Sequence, residues 1–523
     1  MSAQPRVAAR YRQHAARDRE QREDQPALQR GPLTSAIACG KSVYRLSNNA
    51  IMRKRSVDRD LPSVNTEASQ LMPARSSTEH NATEDRHSRR YDESRRLSEL
   101  ANTLIPGGGH TYAKGADQFP EHMPGIIERG DGCHVWDADG NEFIEYGMGL
   151  RAVTLGHAFA PLIAAVQRTL PSGTNYTRPA RIEIECAQKF LSIIPWAEMV
   201  KFCKDGSDAL DGAVRLSRAY TGRDRIAICA EHPFFSTSDW FIGTTDMPGG
   251  VPQSVRAQTV KFHYNDLASL RELFALYPGE IACVIMEAAR TEEPVDGYLQ
   301  GVKALCHAHG AVFVLDEMIT GFRWHLGGAQ PVYGITPDLA TFGKALANGY
   351  ALSALAGRRE IMELGGNRHA RERVFLLSTT HGAESHGLAA GMATMNFYQH
   401  EPVVERLYAQ GKRLRTGIEQ RAQALGLREQ FGVVSRDCNL LYYTKDADGN
   451  PSQPLRTLFL QELLSGGVLA PSFVVSYSHS NADIDRTLDV IEGALRVYHR
   501  ALQDGVGAFL QTRPVRPVFR RFA

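Results

Sequence analysis

The stretch AVFVLDEMITGFR at residues 311–323 combines a fully apolar strand pattern with two carboxylates at its end. Apolar runs of the same kind stand at residues 226–228 and 281–286, and helical patterns alternate with such runs from about 165 to 400. This alternation predicts βαβ units around a mostly parallel, buried sheet, and therefore an α/β fold. Asp316 is expected at the carboxyl edge of that sheet, where open α/β folds bind ligands.

A lysine follows Asp316 in the stretch PDLATFGKALANG at residues 337–349. The small residues around Lys344 leave room for a ring, and removal from water lowers the pKa of a lysine and frees its amine as a nucleophile. Taken singly, each of the two residues has an ordinary alternative. A lysine is more often a solvated surface charge, and an aspartate in this position is often a helix cap or a salt-bridge partner.

The third stretch is DGSDA at residues 205–209, between a strand-like run at 199–203 and a helical pattern. Free backbone N–H groups and the helix dipole at a helix N-terminus favour an anion such as a phosphate. The same pattern is more often a simple helix cap. The pattern therefore supports a phosphate site mainly because it occurs together with Asp316 and Lys344, in this order along the chain.

With these three stretches in place, residues from about 97 to 500 resemble a class III aminotransferase, closest to the glutamate-1-semialdehyde 2,1-aminomutase branch. The most specific segments are LDEMITGFR at 315–323 and PDLATFGK at 337–344. The resemblance implies a fold type I enzyme that uses pyridoxal 5'-phosphate (PLP). It implies a large PLP-binding domain at 166–400 and a smaller α+β domain made from residues 96–165 and 401–523.

The resemblance also implies roles for individual residues. Lys344 would hold PLP as a Schiff base and then act as the catalytic acid and base, and Asp316 would pair with the protonated pyridine nitrogen. Gly206 and Ser207 would hold the cofactor phosphate. No metal is expected.

Two further positions follow from the resemblance. Phe234, in the stretch EHPFF at 231–235, falls where the family places an aromatic that stacks on the cofactor ring, although it is also an ordinary core phenylalanine by type. Thr380 matches a threonine that reaches the phosphate of the neighbouring subunit. A homodimer is therefore expected.

The chain departs from the aminomutase pattern near the expected substrate. Lys114 stands where the aminomutases carry an arginine for the substrate carboxylate, and Glu287 begins EAARTE instead of the usual Glu-Pro-Val-Ala-Gly-Asn run. We therefore predict transfer of an amino group from an amino acid donor to a carbonyl acceptor, with intramolecular aminomutase chemistry as the alternative and a non-catalytic binding protein as a third reading. Candidate pocket residues, any of which could be structural, are Arg151, Tyr176, Arg178, Arg323, Trp324 and His325.

Composition limits the remaining classes of function. A formal net charge of +2 gives no general footprint for nucleic acid, and no apolar run approaches the ~20 residues that span a bilayer. Eight dispersed cysteines without a zinc-type spacing favour a reducing, cytoplasmic setting. Residues 1–95 are rich in Arg, Gln, Ser and acids, so we expect a disordered extension, with a nucleic-acid arm as the less favoured alternative.

Overall fold

The computed structural model describes residues 90–121, 123 and 125–521. Its strands are β1 (Ile127–Asp131), β2 (His134–Asp137), β3 (Glu142–Glu145), β4 (Met199–Cys203), β5 (Arg225–Cys229), β6 (Thr259–Phe262), β7 (Ile281–Glu287), β8 (Val312–Asp316), β9 (Leu339–Phe342), β10 (Ser353–Gly357), β11 (Phe431–Val434), β12 (Leu441–Thr444) and β13 (Val468–Leu469). Its helices of ten or more residues are α1 (Asp92–Leu104), α2 (Ala160–Thr169), α3 (Arg181–Ile193), α4 (Gly206–Thr221), α5 (Leu267–Leu276), α6 (Tyr298–Ala308), α7 (Ser385–His400), α8 (Val403–Ala424), α9 (Gln453–Ser465) and α10 (Asn481–Asp504). Single helical turns lie at Asp239–Ile242, Gln253–Arg256, Gln330–Tyr333 and Arg359–Met362.

A seven-stranded sheet forms the centre of the large domain, in the order β4-β10-β9-β8-β7-β5-β6. The pairs from β9 through β8, β7 and β5 to β6 are parallel, and β10 is antiparallel to both of its neighbours. The mostly parallel sheet expected from the alternating runs is thus confirmed. Every residue of β7, β8, β9 and β10 is buried, as expected for strands that are covered on both faces.

The smaller α+β domain joins the two ends of the described chain. Its sheet has the order β1-β2-β3-β13, and β13 lies parallel to β3 although more than 300 residues of sequence separate them. The Asp-Gly step at residues 139–140 predicts a hairpin turn, and it joins the antiparallel strands β2 and β3. Gly140 there has a φ of 83°, which glycine adopts without steric cost. The α+β domain built from N- and C-terminal segments is therefore present.

The long helix α10 has apolar residues at helical spacing, which predicts one buried stripe. Ile484, Leu488, Ile491 and Leu495 are all buried. The polar Asn481 ahead of this stripe predicts a cap at that residue, but Ser480 caps the helix. The Ser480 side chain accepts a hydrogen bond from the Asp483 backbone N–H, and the Asp483 carboxylate accepts one from the Ser480 backbone N–H.

The described chain begins slightly before the expected boundary. Helix α1 starts at Asp92, and the Asp139 carboxylate accepts hydrogen bonds of 2.8 Å from the backbone N–H groups of Glu93 and Ser94. This long-range cap is invisible in local composition, so the predicted boundary at 95 is a few residues late. The expectations for residues 1–89, including the nucleic-acid arm, lie outside the described residues. Among the described helices, none has the length and apolar character of a membrane span.

Candidate active site

Lys344 lies just beyond the carboxyl end of β9, where a short 3-10 turn (Lys344–Ala347) begins. Its φ of 44° is in the left-handed region, which non-glycine residues rarely adopt and which clusters at functional sites. Burial lowers the pKa of the Lys344 amine, while the carboxylates of Asp316 and Glu287 act in the opposite direction. The geometry thus provides a sheltered amine close to two buried acids.

Asp316 ends the adjacent strand β8 and is only 4% exposed. Its Oδ1 accepts hydrogen bonds from the Met318 backbone N–H at 2.9 Å and from the Thr341 hydroxyl at 3.0 Å. Burial raises the pKa of the Asp316 carboxyl, and the Lys344 charge lowers it. Because both bonds converge on Oδ1, the other oxygen is left for a further donor.

Glu287 is a site residue that the sequence named only as a departure from a family motif. It pairs in register with Asp316 across the parallel strands β7 and β8, so both carboxylates leave the same edge of the sheet. Burial, followed by the Asp316 charge, raises the pKa of Glu287 to about 7. Its Oε2 is buried and has no hydrogen-bond partner among the described residues. The alternation of side chains along one strand shows which face each residue is on. It does not show which residue of the neighbouring strand lies beside it, because that depends on the register between the two strands.

His232 was also missed as an individual residue, and it lies beside Glu287. The backbone N–H of Glu287 donates to His232 Nδ1 at 3.0 Å, which assigns the ring proton to Nε2 when the ring is neutral. Burial, followed by the Arg290 charge, lowers the pKa of His232 to about 3. His232 is therefore a neutral imidazole against the end of β7.

The expected phosphate cradle lies at the first turn of α4. Asp205 is the N-cap, and its carboxylate accepts from the Asp208 N–H at 2.9 Å. Ser207 is therefore not the cap: its hydroxyl oxygen accepts from the Thr237 N–H at 3.1 Å, which leaves the hydroxyl hydrogen free to donate. The simple capping reading of DGSDA thus applies to Asp205 and not to Gly206 or Ser207.

The side chain of Met318 connects this helix end with the lysine loop. A Cβ added to Gly206 would lie 2.9 Å from the Met318 sulfur, and one added to Gly343 would lie 2.7 Å from the same atom. Both contacts are closer than a Cβ tolerates, so the two glycines allow the backbones to approach Met318. The α4 N-terminus and the residue before Lys344 therefore face one side chain.

Phe234 and Thr380 lie at more open positions. The Phe234 side chain is 44% exposed, and its ring contacts Phe241 edge-on and stacks on Phe519 at a centroid distance of 6.4 Å. Thr380 is exposed, and its carbonyl accepts a hydrogen bond from Asn175 Nδ2 at 3.0 Å. The roles predicted for both residues stay predictions.

The six candidate pocket residues separate into distinct groups. Arg151 and Arg323 are in contact, because Arg323 Nη2 donates to the Arg151 carbonyl oxygen. Trp324 is buried and lies under the Arg436 guanidinium, 4.7 Å from its ring centroid. Tyr176, Arg178 and His325 are exposed. Lys114, the counterpart of the aminomutase arginine, is exposed as well, on a short 3-10 turn.

Together these groups fit PLP. A sheltered lysine can hold an aldehyde, a buried carboxylate with a free oxygen can face a ring nitrogen, and a helix N-terminus with a free hydroxyl can receive a phosphate. Gly206 and Gly343 let both backbones approach Met318, which brings the α4 N-terminus close to the lysine loop. No other cofactor is needed to explain this combination.

Comparison with known proteins agrees with this fit. The model of the family "Aminotransferase class-III" matches residues 115–431. A glutamate-1-semialdehyde 2,1-aminomutase from Anaeromyxobacter sp. (strain Fw109-5) is 32% identical over 77% of this chain and 97% of its own length, and one from Desulforamulus reducens is 32% identical over 78% and 98%. The PLP-containing structure of the FumI protein from Sphingopyxis sp. MTA144 has a TM-score of 0.72 and 27% identity, over 81% of this chain and 98% of that chain.

Proposed function

Because this chain belongs to the class III aminotransferases and is a PLP-dependent enzyme, we propose that Lys344 is its Schiff-base lysine and Asp316 the partner of the pyridine nitrogen. The observation that carries this assignment is the placement of Lys344 and Asp316 at the ends of neighbouring parallel strands. The α4 N-terminus, across Met318 from Gly343, supports Gly206 and Ser207 as the phosphate site. Phe234 is proposed as an aromatic contact of the ring.

The proposed roles follow from the environment of each side chain. When bound, the cofactor supplies a sink for the electron pair that is released as the substrate Cα–H bond breaks. Asp316 as a carboxylate stabilises a proton on the ring nitrogen, and that cation in turn offsets the burial of Asp316. The Lys344 amine has a lowered pKa, so a larger fraction is unprotonated and able to take the proton from the substrate Cα.

We propose transfer between two molecules, from an amino acid donor to a carbonyl acceptor. The relatives named above as aminomutases support aminotransferase-type chemistry, and intramolecular transfer is the second candidate. Two observations favour the first: Lys114 is exposed on a short turn, and Glu287 begins a sequence that differs from the aminomutase motif. A requirement for a separate amino donor distinguishes the two reactions, because an aminomutase turns over with a single substrate.

We further propose a homodimer in which Thr380 of one chain completes the phosphate site of the other. The exposure of the Thr380 side chain supports this assignment. A cytoplasmic location is supported by the seven described cysteines, which are all free and buried. The proposed domains remain residues 96–165 and 401–523 for the small unit and 166–400 for the PLP-binding unit, and the proposed N-terminal extension ends before α1, which begins at Asp92.

Borohydride labelling tests the central assignment. Reduction of the PLP-loaded enzyme should fix the cofactor to one lysine, and peptide mass spectrometry should identify Lys344. The Lys344→Ala variant is the matched control, because it keeps the phosphate cradle and Asp316 but has no amine at this position. Label on another lysine of the wild-type chain would overturn the proposal.

A further inference from the structure

Arg151 is at the centre of a group of arginines near Lys344. Burial lowers the pKa of Arg151 to about 10, and the charges of Arg290, Arg323 and Arg456 contribute in the same direction. Arg151 and Arg323 likewise act on Lys344. Within the described residues, none of these four arginines lies within 4 Å of an acidic side chain. Among the described residues no ion pair offsets their mutual repulsion, and only the Glu287 charge acts on Arg151 in the opposite direction.

The nearby acids do not balance these charges. Asp316 is assigned to the ring nitrogen, and Glu287 has a pKa of about 7, so near neutral pH it carries only part of a negative charge. Arg323 is fully buried, and its Nε and Nη1 have no acceptor in the described chain. A pocket with this excess of positive charge favours an anionic ligand.

The hydrogen bonds of Arg151 leave part of its guanidinium available. Its Nε donates to Asn439 Oδ1 at 3.2 Å and its Nη2 to Ser472 Oγ at 3.4 Å. Both acceptors are neutral and both bonds are long, so they orient the planar group without cancelling its charge. Nη1 donates to none of the described residues, and a guanidinium edge presents paired donors to a carboxylate.

The backbone at Arg151 is held in an unusual conformation that fixes its direction. Met148, Gly149, Leu150 and Arg151 have successive φ values of 43°, 56°, 58° and 70°. Left-handed conformation is disfavoured for non-glycine residues, and it persists only where surrounding contacts over-determine it. Arg323 supplies one such contact through the Arg151 carbonyl and a second through the Thr154 hydroxyl at 3.3 Å.

A separate contact ties this turn to the lysine loop. Asn348, four residues after Lys344, accepts hydrogen bonds of 2.8 Å from the N–H groups of Thr154 and Leu155 and donates to the Gly156 carbonyl at 2.9 Å. The chain that follows Arg151 is thus bound to the chain that follows Lys344. The backbone turn that carries Arg151 is therefore fixed relative to the lysine loop.

We propose that Arg151, assisted by Arg290, binds a carboxylate of the substrate and thereby restricts the enzyme to amino donors and carbonyl acceptors that carry this group. The inference rests on the proposed function, since it names the substrate class of the same site. Arg323 is a positioning residue, because it contacts the Arg151 backbone. Arg290 lies on the segment after β7, is partly buried and makes no ion pair with the described residues.

Ligand binding and turnover test the proposal separately. Succinate has carboxylates but no amine, so its binding to the PLP-loaded enzyme can be measured by calorimetry without turnover. Arg151→Gln should weaken the Kd for succinate about 10- to 100-fold, as expected for loss of a charge-assisted pair. Arg290→Gln should weaken it severalfold, and Arg413→Gln, which removes an exposed arginine paired with Asp485 on α10, should leave it within about twofold.

Donor discrimination provides the second readout. The wild type should prefer L-alanine over L-alaninamide, mainly through KM, and Arg151→Gln should lose that preference while it retains PLP absorbance. An unchanged succinate Kd in both Arg151→Gln and Arg290→Gln, or unsaturable binding to the wild type, would overturn the carboxylate site. If Arg151→Gln fails to fold, the succinate Kd of Arg290→Gln alone decides whether the carboxylate site is present. A wild type that converts no donor would refute the proposed function, while the succinate result would still judge the anion site.

Discussion

Replacement of Asp316 by asparagine removes one negative charge and almost no volume. The amide oxygen of asparagine can still accept the hydrogen bonds from Met318 N–H and Thr341 Oγ1, now at 2.9 and 3.0 Å. The fold and the edge of β8 should therefore be retained. What changes is the second oxygen, which becomes an N–H₂ donor and can no longer stabilise a proton on the ring nitrogen.

The size of the effect follows from this loss. A hydrogen bond to an ionised acceptor contributes about 1.5–3 kcal/mol in a buried setting. At 1.36 kcal/mol for each factor of ten, kcat for Asp316→Asn should fall by about 10- to 150-fold. The substitution also removes a charge that helps to raise the pKa of Glu287, so that pKa should move down from its present value of about 7.

The assay is a single-turnover reaction with one amino donor, followed at roughly 420 and 330 nm, the regions expected for the aldehyde and amine forms of the cofactor. Thr341→Val is the control, because it deletes one hydrogen bond to Asp316 and leaves the charge. It should be much less impaired than Asp316→Asn. Activity of Asp316→Asn within about threefold of wild type, roughly 0.65 kcal/mol, would refute the role given to this carboxylate.

Lys344→Ala should abolish turnover while the protein folds and binds PLP without a covalent bond; residual turnover at more than about one per cent would contradict this. Dimers that combine one Lys344→Ala chain with one Thr380→Ala chain should regain near half of the wild-type activity, since both defects then fall in one site; no recovery would place Thr380 in its own chain's site. Deletion of residues 1–89 should leave PLP binding and Tm nearly unchanged, because this composition offers little apolar surface to bury; a large fall in Tm would contradict it. Burial lowers the pKa of His479 from 6.5 to about 3, so the unfolded state takes up this proton at a higher pH than the folded state. The free energy of unfolding should therefore fall by about 2 kcal/mol between pH 7 and pH 5. His479→Asn should flatten the dependence of Tm on pH, and an equal slope in both proteins would contradict this account.

Local patterns were sufficient for the sheet and for the main chemical groups. Apolar runs between helical patterns predict parallel strands, and parallel strands place their carboxyl ends at one edge, so the pattern predicts Asp316 at that edge. The place of Lys344 beside it is what the family resemblance implies. The Gly-Ser step predicts a helix N-terminus, because this signal lies within a few consecutive residues. The resemblance added the cofactor, which these patterns alone leave open.

The surroundings of Lys344 depend on contacts between distant parts of the chain. Glu287 lies beside Asp316 only through the register of β7 against β8, and Asp139 caps a helix from 46 residues away. Arg151 was named from its position near a motif, but its orientation comes from Arg323, 172 residues further along. Sequence periodicity records which face of an element is buried, whereas register, long-range caps and the balance of buried charge arise only when the elements pack.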